Sequence, residues 1–370
     1  MNATGDPFRF TDDLGPAKIV HLTERTTGLR ATVVIDNVAI GPAIGGVRMA
    51  PDVTTEECFG LARAMTFKNA AAGLRHGGGK SVIAADPGMP TTDKERLVRA
   101  FARGIADLTD YIPGPDMGTD ETCMAWVQDE IGRAVGLPAA LGGIPLDDVG
   151  ATGYGLAAAI DVAAEQLGMD LAGARVVVQG FGAVGIHASR FLAERGCVLV
   201  GAADSGGGVV DPHGLDVDEL VRTKASGSVA AHPSGEAVGR DAIVGVECDI
   251  WIPAARPNVL HADNVDTVRA RIVAEGANIP TTPDAEARLA ERGVLVLPDF
   301  IANAGGVICG AVEYAGGTKA DAFRVIDERI RANTADVLER MRRDGVTPRA
   351  AALAMARQRL ERAMSLRRDR

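Results

Sequence analysis

The stretch RVVVQGFGAVG, residues 175–185, decides how the rest of the chain is read. Its first five residues, with three β-branched valines at their centre, are of the kind that forms a strand buried on both faces. Gly180, Gly182 and Gly185 follow in a G-x-G-x-x-G arrangement, and an amphipathic helical stretch continues to about Glu194. A second strand, 198–203, ends at Asp204. Strand, glycine turn, helix and second strand with a closing carboxylate make a dinucleotide fingerprint. The glycines allow a tight turn and let a pyrophosphate approach the helix N-terminus, and Asp204 stands where it would accept hydrogen bonds from ribose hydroxyls. The alternative, a glycine turn in some other doubly wound sheet, must explain all four features separately.

Downstream, strand-like and helical pieces keep alternating: CDIWIPAA at 248–255, RIVAEGAN at 271–278, a helix over 283–292 and a strand over 294–297. PDFIANAGGVICGAVEY follows, with Asn303 and then Gly305 and Gly306 opening another helix. From about Lys319 the tail is helical and strongly charged. Upstream, the composition turns to Pro, Gly and Asp between Leu137 and Gly153, which reads as a passage between domains, and a helix begins at about Tyr154.

The first part of the chain reads as a mixed α/β domain. ATVVIDNVAI (31–40) is a strand and GPAIGGVRM (41–49) a glycine turn. Thr54 and Glu57 form a capping box, with Cys58, Leu61, Ala62 and Met65 at helical spacing behind it. The triple glycine Gly77–Gly79 is a turn before a strand at 81–85, a helix covers about 92–108, YIPGPDMGTDE is a loop, and a further helix covers about 120–135. The chain has six lysines, and two of them, Lys68 and Lys80, bracket this glycine-rich segment. Lysine can be tuned to act as a base, whereas arginine cannot lose its proton. Lys68 continues an apolar helical stripe. It is either a lysine snorkelling outward at a helix C-terminus or, paired with Lys80, an anion anchor beside a catalytic amine.

At 370 residues the chain can hold two domains with full cores. A net charge of −10 argues against phosphate-backbone partners, so no nucleic acid is expected. The opening MNATGDPFRF lacks a basic, apolar signal region and no apolar run approaches a membrane span, so a soluble, cytoplasmic protein is expected. Five scattered cysteines without C-x-x-C, and histidines without ligand spacing, point away from a disulfide framework and from a metal. Cys58, Cys197 and Cys248 sit in apolar patterns as small core residues.

With these residues in view, the chain resembles the glutamate, leucine, phenylalanine and valine dehydrogenases from about Gly41 to Gly317. GPAIGGVRM, MTFKNAAAGLRHGGGK, GPDMGT, ATGYG, QGFGAVG, CDIWIPAA, AEGANIPTT and PDFIANAGGV match the family's motifs in its order. The resemblance implies an α/β fold of two domains. One is a mixed α/β substrate and oligomerisation domain (1–145 plus 335–370), to which the C-terminal helices return. The other is a Rossmann-type dinucleotide domain (146–334). It implies reversible oxidative deamination of an L-amino acid to its 2-oxo acid and ammonia, by a homo-oligomer. Lys68 would anchor the α-carboxylate with the backbone of Gly45 and Gly46, Lys80 would activate water, and Asp116 would shuttle protons to the substrate nitrogen. A turn aspartate bonding its own backbone is the plainer reading of Asp116. Gly180, Phe181, Gly182, Ala183, Val184, Gly185, Asp204, Ala254, Ala255 and Asn303 would hold the dinucleotide, with Thr152 and Asn278 at its nicotinamide end. Arg48 would support its turn. The segment GGIPLDDVGATG departs from the glutamate type, with Asp147 and Asp148 where that type carries an arginine.

Glutamate-specific members carry a lysine at the position of Ile44 and a serine at the position of Gly310. With both absent, Ile44, Gly114, Val307 and Gly310 suggest a roomy apolar pocket and a branched or aromatic substrate. A carboxylate there would lack a partner unless Arg75 or Arg256 supplies one. Glutamate is the alternative, and DSGGGVVDPHGLD at 204–216 leans toward it. Asp204, with no cation in the residues just after it, favours NAD over NADP. Two other classes stay open: a silent dinucleotide-sensing relative, and a hydroxy-acid dehydrogenase, for which His76 is the nearest histidine.

Overall fold

The computed structural model describes residues 6–367, so the start of the MNATGDPFRF segment lies outside it. The chain divides into two compact units: residues 1–145 with 310–319 and 356–370, and residues 146–309 with 320–355.

The first unit is built on a five-stranded mixed sheet. Its elements are β1 (Lys18–Glu24), β2 (Leu29–Asn37), β3 (Ala43–Ala50), α1 (Thr55–Ala71), β4 (Gly77–Ala84), α2 (Thr91–Gly104), β5 (Tyr111–Pro115) and α3 (Glu121–Ile131). The sheet order is β1-β2-β4-β3-β5, antiparallel from β1 to β4 and parallel from β4 to β5. Val33 and Ile35 of β2 pack with Phe101 and Met124 from α2 and α3, while Val34 joins Val82, Cys58 and Ala62 on the α1 side. Burial on both faces is why β2 reads as an unbroken apolar run. Helix α1 starts as expected, with Thr54 accepting from the Glu57 amide.

Three expectations fail here. Residues 43–50 and the triple glycine are strands, not turns. A side chain at Gly78 would lie 2.0 Å from the Thr66 amide, so Gly78 lets β4 pass against α1, while side chains at Gly77 and Gly79 would meet the Asn37 carbonyl at 1.8 Å and the Tyr111 ring at 3.0 Å. The first half of YIPGPDMGTDE is likewise a strand. β5 lies at the sheet edge, where Pro113 and Pro115 break no ladder on its outer side.

The second unit contains α4 (Ala151–Gln166), β6 (Arg175–Gln179), α5 (Ala183–Ala193), β7 (Val198–Asp204), β8 (Gly207–Val210), α6 (Val217–Ala225), β9 (Glu236–Val238), β10 (Ile250–Pro253), β11 (Ile272–Ala274), α7 (Pro283–Glu291), β12 (Leu295–Leu297) and α8 (Asp299–Ala302). The sheet order is β12-β11-β10-β6-β7-β8-β9, with the five strands from β12 to β7 parallel. β6 and β7 coincide with the strands read from sequence. This is a doubly wound sheet whose strand order reverses beside β6.

Three last helices follow: α9 (Gly305–Tyr314), α10 (Lys319–Asp344) and α11 (Pro348–Ser365). Residues 310–319 already belong to the first unit, and the last return to it begins at Ala356 rather than at 335. The reason lies in two arginines. Arg331 is paired with Asp161 of α4, and Arg349 with three carboxylates of the second unit. Only beyond them does Arg359 reach the Ala71 carbonyl, at the C-terminus of α1. All five cysteines are buried and none is in a disulfide. Among the described residues, no helix is long and apolar enough to cross a membrane.

Candidate active site

In the first unit, Lys80 lies on β4 opposite Val34 of β2, which puts its side chain on the face covered by α1. Its Nζ is 2.9 Å from Asp116 Oδ2, and the side chain is 7% exposed. Arg48 of β3 donates from Nε to the same oxygen at 2.9 Å and from Nη1 to Glu57 at 2.7 Å. Arg48 is thus part of the ion cluster and more than a support of its turn. No hydrogen bond among the described residues reaches Asp116 Oδ1. Burial works to raise the Asp116 pKa, but the charges and hydrogen bonds of Lys80 and Arg48 outweigh it and hold the carboxyl below its ordinary range.

The backbone makes room for this pair. A side chain at Gly46 would meet Asp116 Cβ at 2.7 Å and Lys80 Nζ at 3.1 Å. The Asp116 loop is tied to β3: Thr119 Oγ1 donates to the Val47 carbonyl and accepts from the Asp116 amide, and the Met49 amide donates to the Met117 carbonyl. Asp116 is therefore held by backbone on one side while one carboxylate oxygen stays open. An amine and a carboxylate so placed can pass a proton between them. Lys68 stands half-buried in the last turn of α1.

Ile44 packs with Ile112 and Val135, and Ala311 closes on them. Gly114 and Gly310 also face Val135: their Cβ positions would lie 2.9 and 3.6 Å from its Cγ2. The expected pocket residues Ile44, Gly114 and Gly310 do converge, but Val135 fills the space that glycines alone suggested was open. Val135 carried no sequence signal beyond ending an expected helix. Arg75 is exposed between α1 and β4, and Val307 is half-buried on α9 in the second unit.

In the second unit, Gly180, Phe181 and Gly182 line a cleft of about 380 Å³ with Ala203, Asp204, Ser205, Ala254 and Ala255. Gly180 has φ 105°, and a side chain at Gly182 would meet nothing within 4 Å. Gly182 is also the N-cap of α5, which starts at Ala183 with Val184 and Gly185 in its first turn and has no side-chain cap. Open space at an uncapped helix N-terminus is a cradle for a pyrophosphate, so the residues present fit a dinucleotide.

Asp204 differs from its expectation. Oδ1 accepts from the Gly206 amide (2.8 Å) and Ser228 Oγ (2.7 Å), and Oδ2 accepts from Lys224 Nζ (2.8 Å) and the Val229 amide (3.1 Å). Burial would raise its pKa, but Lys224, Ser228 and the two amides bring it down to about 2. Reading onward from Asp204 found no cation, whereas α6 brings Lys224 back to it, and Arg240 and Arg256 line the same cleft. Arg256 therefore belongs to this cleft. Asn278 and Asn303 are joined, Asn303 Nδ2 donating to Asn278 Oδ1 at 3.1 Å, and Thr152 Oγ1 would lie 3.1 Å from a side chain at Gly306. Among the described residues, no group of three or more His, Cys, Asp or Glu could hold a metal ion.

Comparison with known proteins adds the following. The family described as Glutamate/Leucine/Phenylalanine/Valine dehydrogenase matches residues 142–368, and its dimerisation domain matches residues 17–133. A NADP-specific glutamate dehydrogenase of Saccharolobus shibatae is 37% identical over 354 residues, 90% of this chain and 83% of the relative. A NAD-specific glutamate dehydrogenase of Staphylococcus aureus is 38% identical over 323 residues, 84% and 77% of the two chains. Among solved structures, the hetero-hexameric glutamate dehydrogenase of Thermus thermophilus in its leucine-bound form superposes with a TM-score of 0.86. It shares 34% identity, with 96% of this chain and 91% of that chain covered.

Proposed function

Because this chain belongs to the glutamate/leucine/phenylalanine/valine dehydrogenase family, and so is an NAD(P)-dependent amino acid dehydrogenase, we propose that it deaminates L-glutamate. The observation that carries the substrate is the 37–38% identity to two glutamate dehydrogenases over most of the chain. In the net reaction, L-glutamate, water and oxidised dinucleotide give 2-oxoglutarate, ammonium, reduced dinucleotide and a proton. The bound dinucleotide supplies the hydride acceptor. Lys68 holds the α-carboxylate with the amides of Gly45 and Gly46. Lys80 takes a proton from the water that attacks the imino carbon, and Asp116, through its open Oδ1, exchanges protons with the substrate nitrogen. Arg48 fixes the other oxygen of Asp116, so the carboxylate presents one face only.

A second reading has a specific observation behind it. Ile44, Ile112 and Val135 form an apolar cluster, and neither Ile44 nor Gly310 offers a γ-carboxylate a donor. Burying that carboxylate unpaired is costly, which favours an apolar amino acid. The deciding experiment measures kcat/KM for 2-oxoglutarate and for branched and aromatic 2-oxo acids, with ammonia. Higher kcat/KM for 2-oxoglutarate supports glutamate, and higher kcat/KM for an apolar acid replaces it with the second reading. In the latter case, Ile44→Lys with Gly310→Ser shifts preference toward 2-oxoglutarate by about ten- to a hundredfold, since a buried charge-assisted contact contributes about 1.5–3 kcal/mol.

For the cofactor we infer that both NAD(H) and NADP(H) are accepted. Asp204 is engaged on both oxygens and neutralised by Lys224, and Arg240 and Arg256 add positive charge to the cleft. That removes the repulsion on which a strong preference for NAD rested. Assembly as a homo-oligomer is part of the same proposal, supported by the dimerisation-domain match.

A further inference from the structure

A buried ion cluster stands behind the loop that follows β11. Arg349, in the first turn of α11, donates from Nε to Glu286 Oε2 at 2.6 Å, from Nη1 to Asp299 Oδ1 at 3.0 Å and from Nη2 to Glu275 Oε2 at 2.6 Å. The carboxylates come from three places: the end of β11, α7 and the start of α8. All three are buried, Glu275 completely. Three anions around one cation are poorly balanced for a site out of water. Burial accordingly pushes Glu275 up to about 8 against the pull of Arg349, with Asp299 and Glu286 adding to the rise and Thr281 opposing it. None of these groups has a part in the chemistry of the preceding subsection.

What the cluster holds is the loop over residues 275–279. Glu275 Oε2 also accepts from the Asp299 amide at 2.9 Å, and Asp299 Oδ2 accepts from the Ile279 amide at 2.8 Å. Ile279 has φ 49°, and its carbonyl accepts from the Asn258 amide at 2.9 Å. A β-branched residue in the left-handed region persists only where its surroundings over-determine it. Asn303, just past α8, donates to the carbonyls of Gly276 (3.2 Å) and Ala277 (3.3 Å) and to Asn278 Oδ1. Every residue from Glu275 to Ile279 is thus tied to Arg349, Asp299 or Asn303.

This loop lies at the carboxyl end of the parallel strands, on the β10–β12 side. The glycine turn and Asp204, at the ends of β6 and β7, take the adenosine half of a dinucleotide. The other half then lies over β10–β12, because the sheet repeats its mononucleotide unit about the reversal point. We propose that Arg349, acting through Glu275 and Asp299, is a positioning residue that fixes this loop, and with it Asn278, in the shape that receives the nicotinamide end. The inference rests on the dinucleotide reading, and its test separates the two.

NADH and ADP-ribose, which keeps the adenosine and pyrophosphate but lacks the nicotinamide, are titrated calorimetrically into the full chain and its Arg349→Lys variant, with thermal midpoints recorded. Lysine keeps the charge but cannot present three donors in a fixed fork. The expected result is about tenfold weaker NADH binding with ADP-ribose affinity unchanged within about twofold. Equal loss of both ligands, or a lower midpoint with both affinities intact, overturns the proposal. If Arg349→Lys does not fold, Asp299→Asn takes its place, since an amide has one oxygen and cannot accept from both Arg349 and the Ile279 amide, which unties the loop. The same selective loss of NADH is expected, and unchanged NADH binding overturns the proposal. Failure of the unaltered protein to bind either ligand removes the dinucleotide reading and the proposal with it.

Discussion

Lys80–Asp116 in the first unit and Lys224–Asp204 in the second are lysine–aspartate pairs of almost the same length, 2.9 and 2.8 Å. Their surroundings differ in one respect that matters. Asp116 receives both of its contacts on Oδ2, from Lys80 and Arg48, and keeps Oδ1 open. Asp204 has donors on both oxygens, two of them backbone amides. In both, the lysine and its companion donors depress the aspartate pKa against burial. A lowered pKa therefore does not distinguish a carboxylate proposed to carry protons, Asp116, from one whose oxygens are both filled, Asp204. Unfilled hydrogen-bonding capacity does, because only an open oxygen can exchange a proton with something that arrives later.

The largest test of that difference is Lys80→Ala. It is expected to lower kcat by about 10²–10⁴-fold while NADH binding, measured by fluorescence titration, persists. Binding lost along with kcat would mean that the substitution damages more than proton transfer. Asp116→Asn comes next, with a loss of about a hundredfold in kcat, because asparagine keeps the shape but cannot carry the proton. A variant that retains most of its rate would mean that Asp116, like Asp204, takes no part in proton transfer.

On the other side of the comparison, Lys224→Met should leave kcat with saturating NADH nearly unchanged. It should weaken NADPH relative to NADH by about tenfold in kcat/KM, since a carboxylate stripped of its cation repels the 2′-phosphate. Equal effects on the two cofactors would show that Lys224 only supports the fold. The smallest effect is in acid stability. Asp204 has its folded pKa depressed from 3.8 to about 2, so its contribution is complete above 3.8 and is lost as pH falls toward 2. The thermal midpoints of the protein and Asp204→Asn should differ by a few degrees at most above that window and converge below it. A gap independent of pH would assign the difference to lost packing.

How far the sequence could be read follows from where each signal resides. The glycine turn at 180–185 and its flanking strands were legible because strand, turn and helix carry their own local periods. Lys80 and Asp116 were legible as residues standing out in glycine-rich segments. The strand character of Gly77–Gly79 was not, since glycine is a turn signal locally and becomes a strand residue only when Asn37, Thr66 and Tyr111 must approach it. Pro113 and Pro115 likewise read as a loop until edge placement removes the cost of a missing amide. Lys224, twenty residues after Asp204, and Val135, filling the space beside Gly114 and Gly310, are products of tertiary return. Nothing near them in sequence announces that return.

The five buried cysteines have a practical consequence. Burial drives the thiol pKa to about 12 for Cys58 and Cys248 and to about 11 for Cys123 and Cys197, and Cys309 is equally enclosed. At neutral pH the folded chain presents almost no thiolate to a maleimide. A single cysteine introduced at exposed Met117, beside Asp116, or at exposed Ile279, beside Asn278, is then the one position a dye labels. Fluorescence from the first reports on the lysine–aspartate pair and from the second on the loop behind β11, with no native residue removed to silence a background.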